Sequence, residues 1–560
     1  MITPPAFWLA KASAAATLWL ATVAGANAAE ISLWMEPSGV MILPDRPAGT
    51  VHEIDRCGVR NQFVAAQLGL RAAAQVSDPC WFDWTALEGT GGRIARENIV
   101  PFRAADVVVD HGQKVSQSSD KARARAYGSY PDALVPLVDR EGRNVANRIT
   151  LEKDRTLSFW IDVFIPAGTS PGDYRGRIAL NSGEEEVAAI PVKVSVVDLE
   201  IPADSTIPSL FNLRMHKHVA DNLDNYVAEV MRHRIQPTNY HYVDYVGDKR
   251  FGWAMLDRLN PQGKGYVNVY YYHSGGLRPE KARALLDGLR EITAHLKERK
   301  LLDRSFLHLT DEPGPKEIPG MVELARLIVK EVPEWRGRLA DTLNKEGTEL
   351  DALVTHHIRA LKCYGSWYAQ GERVYGGRAE WDKRRAAGQQ LWFYLSNAQG
   401  VPFPTFDVHT LNLAWEPRVL GWAYWYEKAH GHLYWDLMFQ PQWQLHKKFP
   451  PGDGQLIYPG DFSLPGAPTW VLVKDLKGPV VSRRLKHQRA GIEDWELLKM
   501  AERKAGRGKV EAIVDRVYTC LGRRTWAPDA YDPGKPMWSY DPGAWDQARQ
   551  EVIDLLRSKP

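Results

Sequence analysis

The first third of the chain contains short runs of alternating apolar and polar residues, a pattern typical of β-strands. These runs are rich in β-branched and aromatic residues and are separated by turn sequences such as Pro171-Gly172-Asp173. The predicted strands are residues 31–35, 105–109, 157–164, 175–180 and 187–199. In the third run one face is wholly apolar, while the other mixes Trp160 and Phe164 with Ser158 and Asp162, so we expect that face to be partly covered too. Residues 30–202 are therefore predicted to form a β-sandwich domain.

After residue 204 the pattern changes to strands that alternate with helices, which indicates a parallel sheet with crossover helices. Residues 278–299, for example, place their leucines at helical spacing. Eight strands are predicted, at residues 207–213, 238–243, 267–273, 306–310, 338–342, 357–364, 391–396 and 431–436. The predicted fold is thus an N-terminal β-sandwich followed by a (β/α)₈ TIM barrel over residues 206–505, with a helical C-terminal extension over residues 506–560.

Composition excludes some classes of partner. The chain has 560 residues, which is long enough for more than one domain. Its 71 basic and 68 acidic residues nearly cancel, so neither nucleic acid nor an anionic membrane is expected as a partner. The chain also has 21 Trp and 22 Tyr, and this excess favours a carbohydrate site because aromatic faces stack on sugar rings.

The first 28 residues resemble a cleaved signal peptide. Lys11 precedes an apolar run over residues 12–24, and Ala26-Asn27-Ala28 is an A-x-A cleavage site. The run is too short to cross a bilayer, and no later stretch has the length and apolarity of a membrane span. We predict a secreted or periplasmic protein without membrane insertion.

Cysteine and histidine spacing gives no reason to expect a metal or another cofactor. Cys57 and Cys80 share one N-terminal segment and could form a disulfide, whereas Cys363 and Cys520 are predicted to be buried free thiols. Two histidine pairs lack a third ligand nearby, His216 with His218 and His356 with His357.

The best catalytic candidates are two adjacent acids. The fourth predicted barrel strand ends directly in Asp311-Glu312-Pro313, and reactive groups of TIM barrels lie at the C-terminal ends of the strands. Pro313 is expected to hold Glu312 in an extended conformation, and both carboxylates could reach one cavity where the pleat breaks. The competing interpretation is an acidic surface pair.

Adjacency of the two acids limits the mechanism. Glycosidases with two catalytic carboxylates hold them about 5–5.5 Å apart or wider, on opposite sides of the bond. Neighbouring residues, with Cα atoms about 3.8 Å apart, suit substrate-assisted catalysis better. Glu312 would protonate the glycosidic oxygen, the 2-acetamido oxygen of the substrate would attack C1, and Asp311 would orient the amide and stabilise its positive charge.

Several motifs together resemble the catalytic domain of glycoside hydrolase family 123 and the domain that precedes it. They cover roughly residues 100–505: the acidic pair, a glycine-rich loop at 452–460, Ser482-Arg483-Arg484-Leu485 with the run 489–498, the barrel segments 391–394 and 431–435, and the sandwich segments 130–136 and 171–176. The resemblance implies β-N-acetylgalactosaminidase-like hydrolysis with Asp311 and Glu312 in these two roles.

Aromatic residues near the strand ends are candidates for substrate binding. We expect Trp435 to be a sugar platform and Tyr394 to hydrogen-bond the acetamido group. Trp392, Tyr434, Tyr271 and His273 are further candidates, with barrel packing as the competing interpretation for the tryptophans. Asp453 is expected to order its loop, and Arg484 to pair with Asp494.

The predicted function is an exported glycoside hydrolase whose partner is a glycan or oligosaccharide. The alternatives are a glycosidase of different sugar specificity and a non-catalytic glycan-binding protein on the same fold. A serine esterase has little support, because the one G-x-S-x-G match, at residues 168–172, lies in a predicted turn between two strands and not in a strand–turn–helix elbow.

Overall fold

The computed structural model describes residues 31–110, 127–239, 252–270, 279–342, 348–361, 377–395, 404–408, 415–447, 449–518 and 538–558. The N-terminal part is all β, as predicted. Its strands are β1 (Ile31–Glu36), β2 (Ile54–Arg60), β3 (Gln62–Ala72), β4 (Cys80–Trp84), β5 (Leu87–Gly89), β6 (Gly92–Ile94), β7 (Ile99–Val109), β8 (Gly128–Pro136), β9 (Thr156–Ile165), β10 (Gly172–Ser182) and β11 (Glu185–Glu200). All five predicted runs lie within these strands.

These strands form two sheets that pack face to face. One sheet has the order β1-β3-β9-β7-β8, and the other has the order β2-β11-β10-β5-β6, with β4 also paired to β10. Phe159 on β9 and Phe82 on β4 meet between the sheets, with ring centroids 4.9 Å apart. The predicted sandwich is confirmed.

Eight parallel strands follow and form the barrel. They are β12 (Ser209–Asn212), β13 (Pro237–Thr238), β14 (Val267–Tyr270), β15 (Ser305–His308), β16 (Leu339–Asp341), β17 (His356–Ala360), β18 (Gln390–Leu395) and β19 (Gly431–Tyr434). Their order is β13-β12-β19-β18-β17-β16-β15-β14, so the sheet curls round until, in the described part of the chain, only β13 and β14 are not joined. Each of the eight predicted strands overlaps one of these, and the TIM barrel is confirmed.

Helices cover the outside of the barrel and continue beyond it. They are α1 (Lys217–Asp221), α2 (Leu223–Arg232), α3 (Gly252–Leu259), α4 (Pro279–Glu298), α5 (Ile318–Glu331), α6 (Glu349–Leu353), α7 (Gly377–Ala386), α8 (Glu416–Tyr426), α9 (Arg483–Ala505), α10 (Arg507–Val514) and α11 (Pro542–Arg557). Of the described helices, none combines the length and apolarity needed to cross a membrane.

After the barrel the chain returns to the sandwich. Two short strands, β20 (Ile457–Tyr458) and β21 (Val480–Ser482), extend the first sandwich sheet beyond β8. Val481 of β21 pairs with Leu134 of β8, and helix α9 begins one residue after β21 ends. The segment predicted as barrel therefore also completes a sheet of the sandwich.

Helix α9 covers the outer face of β9, the face expected to be partly covered. Asp162 on that face accepts hydrogen bonds from Lys486 at 2.7 Å, Arg489 at 2.8 Å and Trp160 at 2.8 Å. All four side chains are buried. An array of buried charges thus joins the two domains.

The predicted pairing of Arg484 with Asp494 is wrong. Arg484 lies at the start of α9 and faces the sandwich, where it donates two hydrogen bonds to Asp132 of β8, at 2.8 and 3.0 Å. Asp494 is ten residues further along the helix and instead accepts from Arg418 and Arg549.

Cys57 and Cys80 are free thiols, so they do not form the disulfide that the sequence left open. Cys57 lies on β2 and Cys80 on β4, and the path between them across the sheet crosses β11 and β10. Three interstrand spacings amount to about 14 Å, far more than the Cα separation that a disulfide allows. Cys363 and Cys520 lie outside the described residues.

Candidate active site

The acidic pair lies at the C-terminal end of barrel strand β15, where the backbone turns sharply. Glu312 has φ of 43°, in the left-handed region that residues other than glycine rarely adopt. The extended conformation predicted for Glu312 is therefore wrong. The reason is local: the backbone N–H of Glu312 donates to Thr342 Oγ1 at 2.6 Å, which fixes the turn. Asp311 and Glu312 are both exposed at the barrel mouth.

Thr342, which directly follows strand β16, contacts both members of the acidic pair. Its hydroxyl oxygen accepts from the N–H of Glu312 and lies 3.0 Å from Asp311 Oδ1, to which the hydroxyl donates. Thr342 itself is 3% exposed. Thr342 is not among the site residues predicted from the sequence, although its place at the C-terminal end of a predicted barrel strand was a signal.

Displacement of water and one further contact set the electrostatics of the pair. Surrounding protein displaces water from Asp311 and raises the pKa of its carboxyl, and the hydrogen bond from Thr342 partly offsets that effect. Tyr394 on β18 donates its hydroxyl to Glu312 Oε1. The structure therefore brings together Asp311, Glu312 and Tyr394, three of the predicted site residues.

Strand register decides which aromatic residues face the barrel interior. Tyr394 pairs with Leu433 across β18 and β19, so Leu433 is on the inward side with Tyr394. Tyr434 faces the opposite way. Trp435 lies beyond the end of β19, where strand alternation no longer applies, and its indole N–H and the Tyr434 hydroxyl both donate to Asp453 Oδ1.

Trp392 and Tyr434 are fully buried, and neither reaches the barrel mouth. Trp392 points inward but lies two residues below Tyr394, where its ring packs on Phe306 with centroids 5.3 Å apart. Tyr434 donates to Asp453 at 2.8 Å and accepts from the N–H of Gly454 at 2.7 Å. Both are structural residues, and we do not retain them as substrate contacts.

Trp435 is half-buried beside the mouth and packs against the glycine-rich loop. Its indole N–H donates to Asp453 Oδ1 at 3.1 Å, and a Cβ at Gly454 would lie 2.5 Å from its ring. Burial raises the pKa of Asp453 to about 7, even though the hydrogen bonds from Trp435 and Tyr434 act in the opposite direction. Asp453 thus orders its loop, as predicted, and fixes the indole.

A second polar group lies at the ends of the neighbouring strands β12 and β19. Arg214 donates its Nε to Asp436 Oδ2, which also accepts from Asn212 at 3.2 Å. Burial raises the pKa of Asp436 to about 7, against the opposing charge of Arg214. Arg214 is not among the site residues predicted from the sequence.

Two predicted site residues, Tyr271 and His273, lie outside the described residues. Among the residues that the structure describes, no group of three or more His, Cys, Asp or Glu side chains could hold a metal ion. The histidine pairs have other contacts: His216 bonds the carbonyl of Met438, and His357 bonds Gln389.

The family is decided by the sequence of the barrel region. The model of the glycoside hydrolase 123 catalytic domain matches residues 221–501, half of the chain. The chain belongs to glycoside hydrolase family 123. It is a hydrolase of glycans, and the resemblance stated from the motifs is confirmed. No curated protein matches this chain.

A solved structure from the same family agrees with the fold. A family 123 glycoside hydrolase from Clostridium perfringens, described for glycolipid glycan hydrolysis, superposes with a TM-score of 0.69 at 13% identity, over 94% of this chain and 98% of that one. A family 39 glycoside hydrolase from Bacteroides cellulosilyticus (TM-score 0.35, 10% identity, 72% of this chain and 79% of that one) and a GH5 xyloglucanase from Bacteroides ovatus (TM-score 0.28, 9% identity, 82% and 100%) are far less similar.

Proposed function

We propose that this family 123 enzyme cleaves β-N-acetylgalactosaminide-type linkages by substrate-assisted, retaining catalysis. The observation that carries the proposal is the turn at Glu312, which brings two adjacent carboxylates to one side of the barrel mouth. Neighbouring residues held this way cannot flank a sugar from opposite faces. The role of nucleophile is therefore assigned to the substrate's own 2-acetamido oxygen.

Glu312 is the general acid in this mechanism. It gives its proton to the glycosidic oxygen while the acetamido oxygen attacks C1 and the glycosidic bond breaks. It then takes a proton from the water that opens the cyclic intermediate, so the configuration at C1 is retained. Tyr394, which donates to Glu312 in the structure, is close enough to the acid to transfer its hydrogen bond to the acetamido oxygen when substrate binds.

Asp311 orients the acetamido group. Its Oδ1 is taken by Thr342, which leaves Oδ2 to accept the N–H of the amide. As positive charge develops on that nitrogen, an ionised Asp311 stabilises it, and this interaction strengthens in the transition state. Trp435 supplies the apolar face for the sugar ring.

The Glu312→Gln variant tests the general acid. A general acid contributes about 10²–10⁴-fold, so we expect kcat to fall by that factor on a natural oligosaccharide and much less on an aryl glycoside whose leaving group needs no proton. Because Glu312 is exposed, the melting temperature should change little. Undiminished turnover on the oligosaccharide would exclude Glu312 as the acid.

The substrate's role is tested with inhibitors and a second substrate class. A thiazoline analogue of the cyclised sugar should inhibit far more tightly than the free sugar, and Asp311→Asn should lower kcat more than it raises KM. Efficient hydrolysis of a plain galactoside or glucoside would contradict the substrate-assisted route.

We also propose that the enzyme is exported, on the signal-like pattern of residues 1–28. The mature protein should then begin at Ala29. N-terminal sequencing of protein recovered from the periplasm or medium checks this, and an intact N-terminus there would contradict cleavage at Ala28.

A further inference from the structure

Arg214 and Asp436 form a polar pair on the inward side of the barrel mouth. Leu210 of β12 pairs with Leu433 of β19, which pairs with Tyr394 of β18, so these three residues share the inward side. Arg214 lies four residues beyond Leu210 and continues that side. The pair is thus part of the same mouth as the acidic residues.

Asp436 is not accessible to a ligand. Its side chain is fully buried, Oδ1 accepts from the N–H of Met438 at 3.0 Å, and Oδ2 accepts from Asn212 and Arg214. What Asp436 does is to hold the guanidinium of Arg214 in one orientation. It is a positioning residue.

Arg214, in contrast, has donors to spare. Its side chain is 37% exposed, and its guanidinium lies 4.7 Å from the centre of the Phe439 ring, which supports it from one side. Asp436, bonded at Nε, is its only hydrogen-bond partner in the described part of the chain. The terminal nitrogens Nη1 and Nη2 therefore present a planar, charged fork to the mouth, a shape that fits two neighbouring oxygen atoms.

The guanidinium of Arg214 lies across the barrel mouth from the acidic pair. Asp311 and Glu312 follow the fourth barrel strand, whereas Arg214 and Asp436 follow the first and eighth, across the barrel. A pyranose whose C1 faces Glu312 and whose 2-substituent faces Asp311 points C3 and C4 away from both. We propose that Arg214 binds the vicinal hydroxyls at C3 and C4 of the sugar and so selects it; this rests on the proposed function for the direction of the sugar.

The test compares deoxygenated substrates between wild type and Arg214→Met. Aryl N-acetylgalactosaminides lacking the 3- or 4-hydroxyl should lose about 10- to 100-fold in kcat/KM with the wild type, the range for a hydrogen bond to a charged group. Arg214→Met should lose a similar factor on the parent substrate and then little more on either deoxy substrate. Arg214→Lys, which keeps the charge but not the fork, should recover only part of the loss.

The matched control is Arg326→Met, which removes an arginine from helix α5 on the outside of the barrel, where its partner is Glu349. This variant should discriminate among the substrates as the wild type does. Melting temperatures of all variants identify any that do not fold, and Arg214→Lys then carries the comparison.

A binding measurement separates this inference from the proposed function. Calorimetric titration of N-acetylgalactosamine and its 3- and 4-deoxy forms into wild type and Arg214→Met needs no hydrolysis. Equal losses on deoxygenation in both proteins would overturn the role of Arg214, as would a wild type that does not discriminate. Failure to cleave any 2-acetamido glycoside, with the discrimination in binding intact, would overturn only the proposed reaction.

Discussion

At the scale of single residues, the site depends on one unusual backbone conformation. A non-glycine residue in the left-handed region costs about 1–3 kcal/mol and persists only where its surroundings hold it there. Thr342 stabilises this conformation of Glu312. Its buried hydroxyl accepts a hydrogen bond from the Glu312 N–H and donates one to Asp311. One hydroxyl therefore positions both acids, and its removal should affect them together.

Thr342→Val removes that hydroxyl at nearly constant volume. We expect kcat to fall by about 10–100-fold, the loss of a hydrogen bond to a charged group. The pH dependence should also change. In the proposed mechanism Asp311 acts in its ionised form. The Thr342 hydroxyl lowers the pKa of the Asp311 carboxyl, which displacement of water by the surrounding protein raises. Without the hydroxyl that pKa rises further, so the acidic limb of the kcat/KM profile should move to higher pH.

Thr342→Ser is the control for this prediction, because it keeps the hydroxyl. It should restore most of kcat and return the acidic limb to its wild-type position. A Thr342→Val profile that falls in amplitude without moving along the pH axis would show that Thr342 does not act through Asp311.

At the scale of elements, the sequence predicted the barrel strands better than the sandwich strands. Strands of a parallel barrel are buried on both sides and so form continuous apolar runs, as in β18. Strand β2, in contrast, has the sequence IDRCGVR, and β3 contains Ala, Gly and Gln at most positions, so neither pattern was recognised.

Alternation along a strand could have corrected part of the site prediction. Tyr434 directly follows Leu433, which pairs with the inward-facing Tyr394, so Tyr434 faces outward. What no pattern could show is the contact between Thr342 and the acidic pair, since it depends on the register of two strands whose relevant residues are thirty positions apart.

The packing of helices α8 and α9 gives a prediction at the same scale. The helices cross where Gly421 faces Gly491, and a Cβ at Gly421 would lie 1.8 Å from the Gly491 carbonyl oxygen. Gly421→Ala must push the helices apart, and overpacking of this kind costs about 1–3 kcal/mol or more. Chemical denaturation should show that loss of unfolding free energy.

The control makes the same substitution in open space. Gly508 lies in helix α10, and a Cβ there would meet no atom within 4 Å. Gly508→Ala should therefore stabilise the protein slightly, by about 0.5–1 kcal/mol, because alanine is the better helix former. Equal effects of the two substitutions would contradict the close approach of the helices.

At the scale of the whole molecule, the sandwich and the barrel are one structure. Strands β20 and β21 complete a sandwich sheet with chain that follows the barrel, and helix α9 lies over the outer face of β9. The C-terminal motif that resembled the family, from Ser482 onward, therefore has an architectural role. Its Arg484 and Arg489 bind Asp132 and Asp162 of the sandwich, which explains why such charged residues stand in a buried helix.

Asp162 is the carboxylate on which this interface depends. Burial alone would raise its pKa, but Arg489 and Lys486 more than offset that effect and hold the pKa below its ordinary value. Asp162→Asn leaves both cations buried without their counter-charge, which should cost about 3–5 kcal/mol of unfolding free energy at neutral pH. Asp83→Asn, which breaks an ion pair whose two side chains are each 54% exposed, should cost no more than about 1 kcal/mol.

The pH dependence of this loss follows from the direction of the pKa shift. A carboxylate whose folded-state pKa is depressed contributes stability above its unfolded pKa, about 3.9, and loses that contribution as the pH falls towards the folded value. Urea denaturation at pH 7 and at steps below pH 4 should therefore show wild type and Asp162→Asn converging in unfolding free energy as the pH falls. A difference that stays constant over this range would mean that Asp162 stabilises the interface by its shape and hydrogen bonds, and not by its charge.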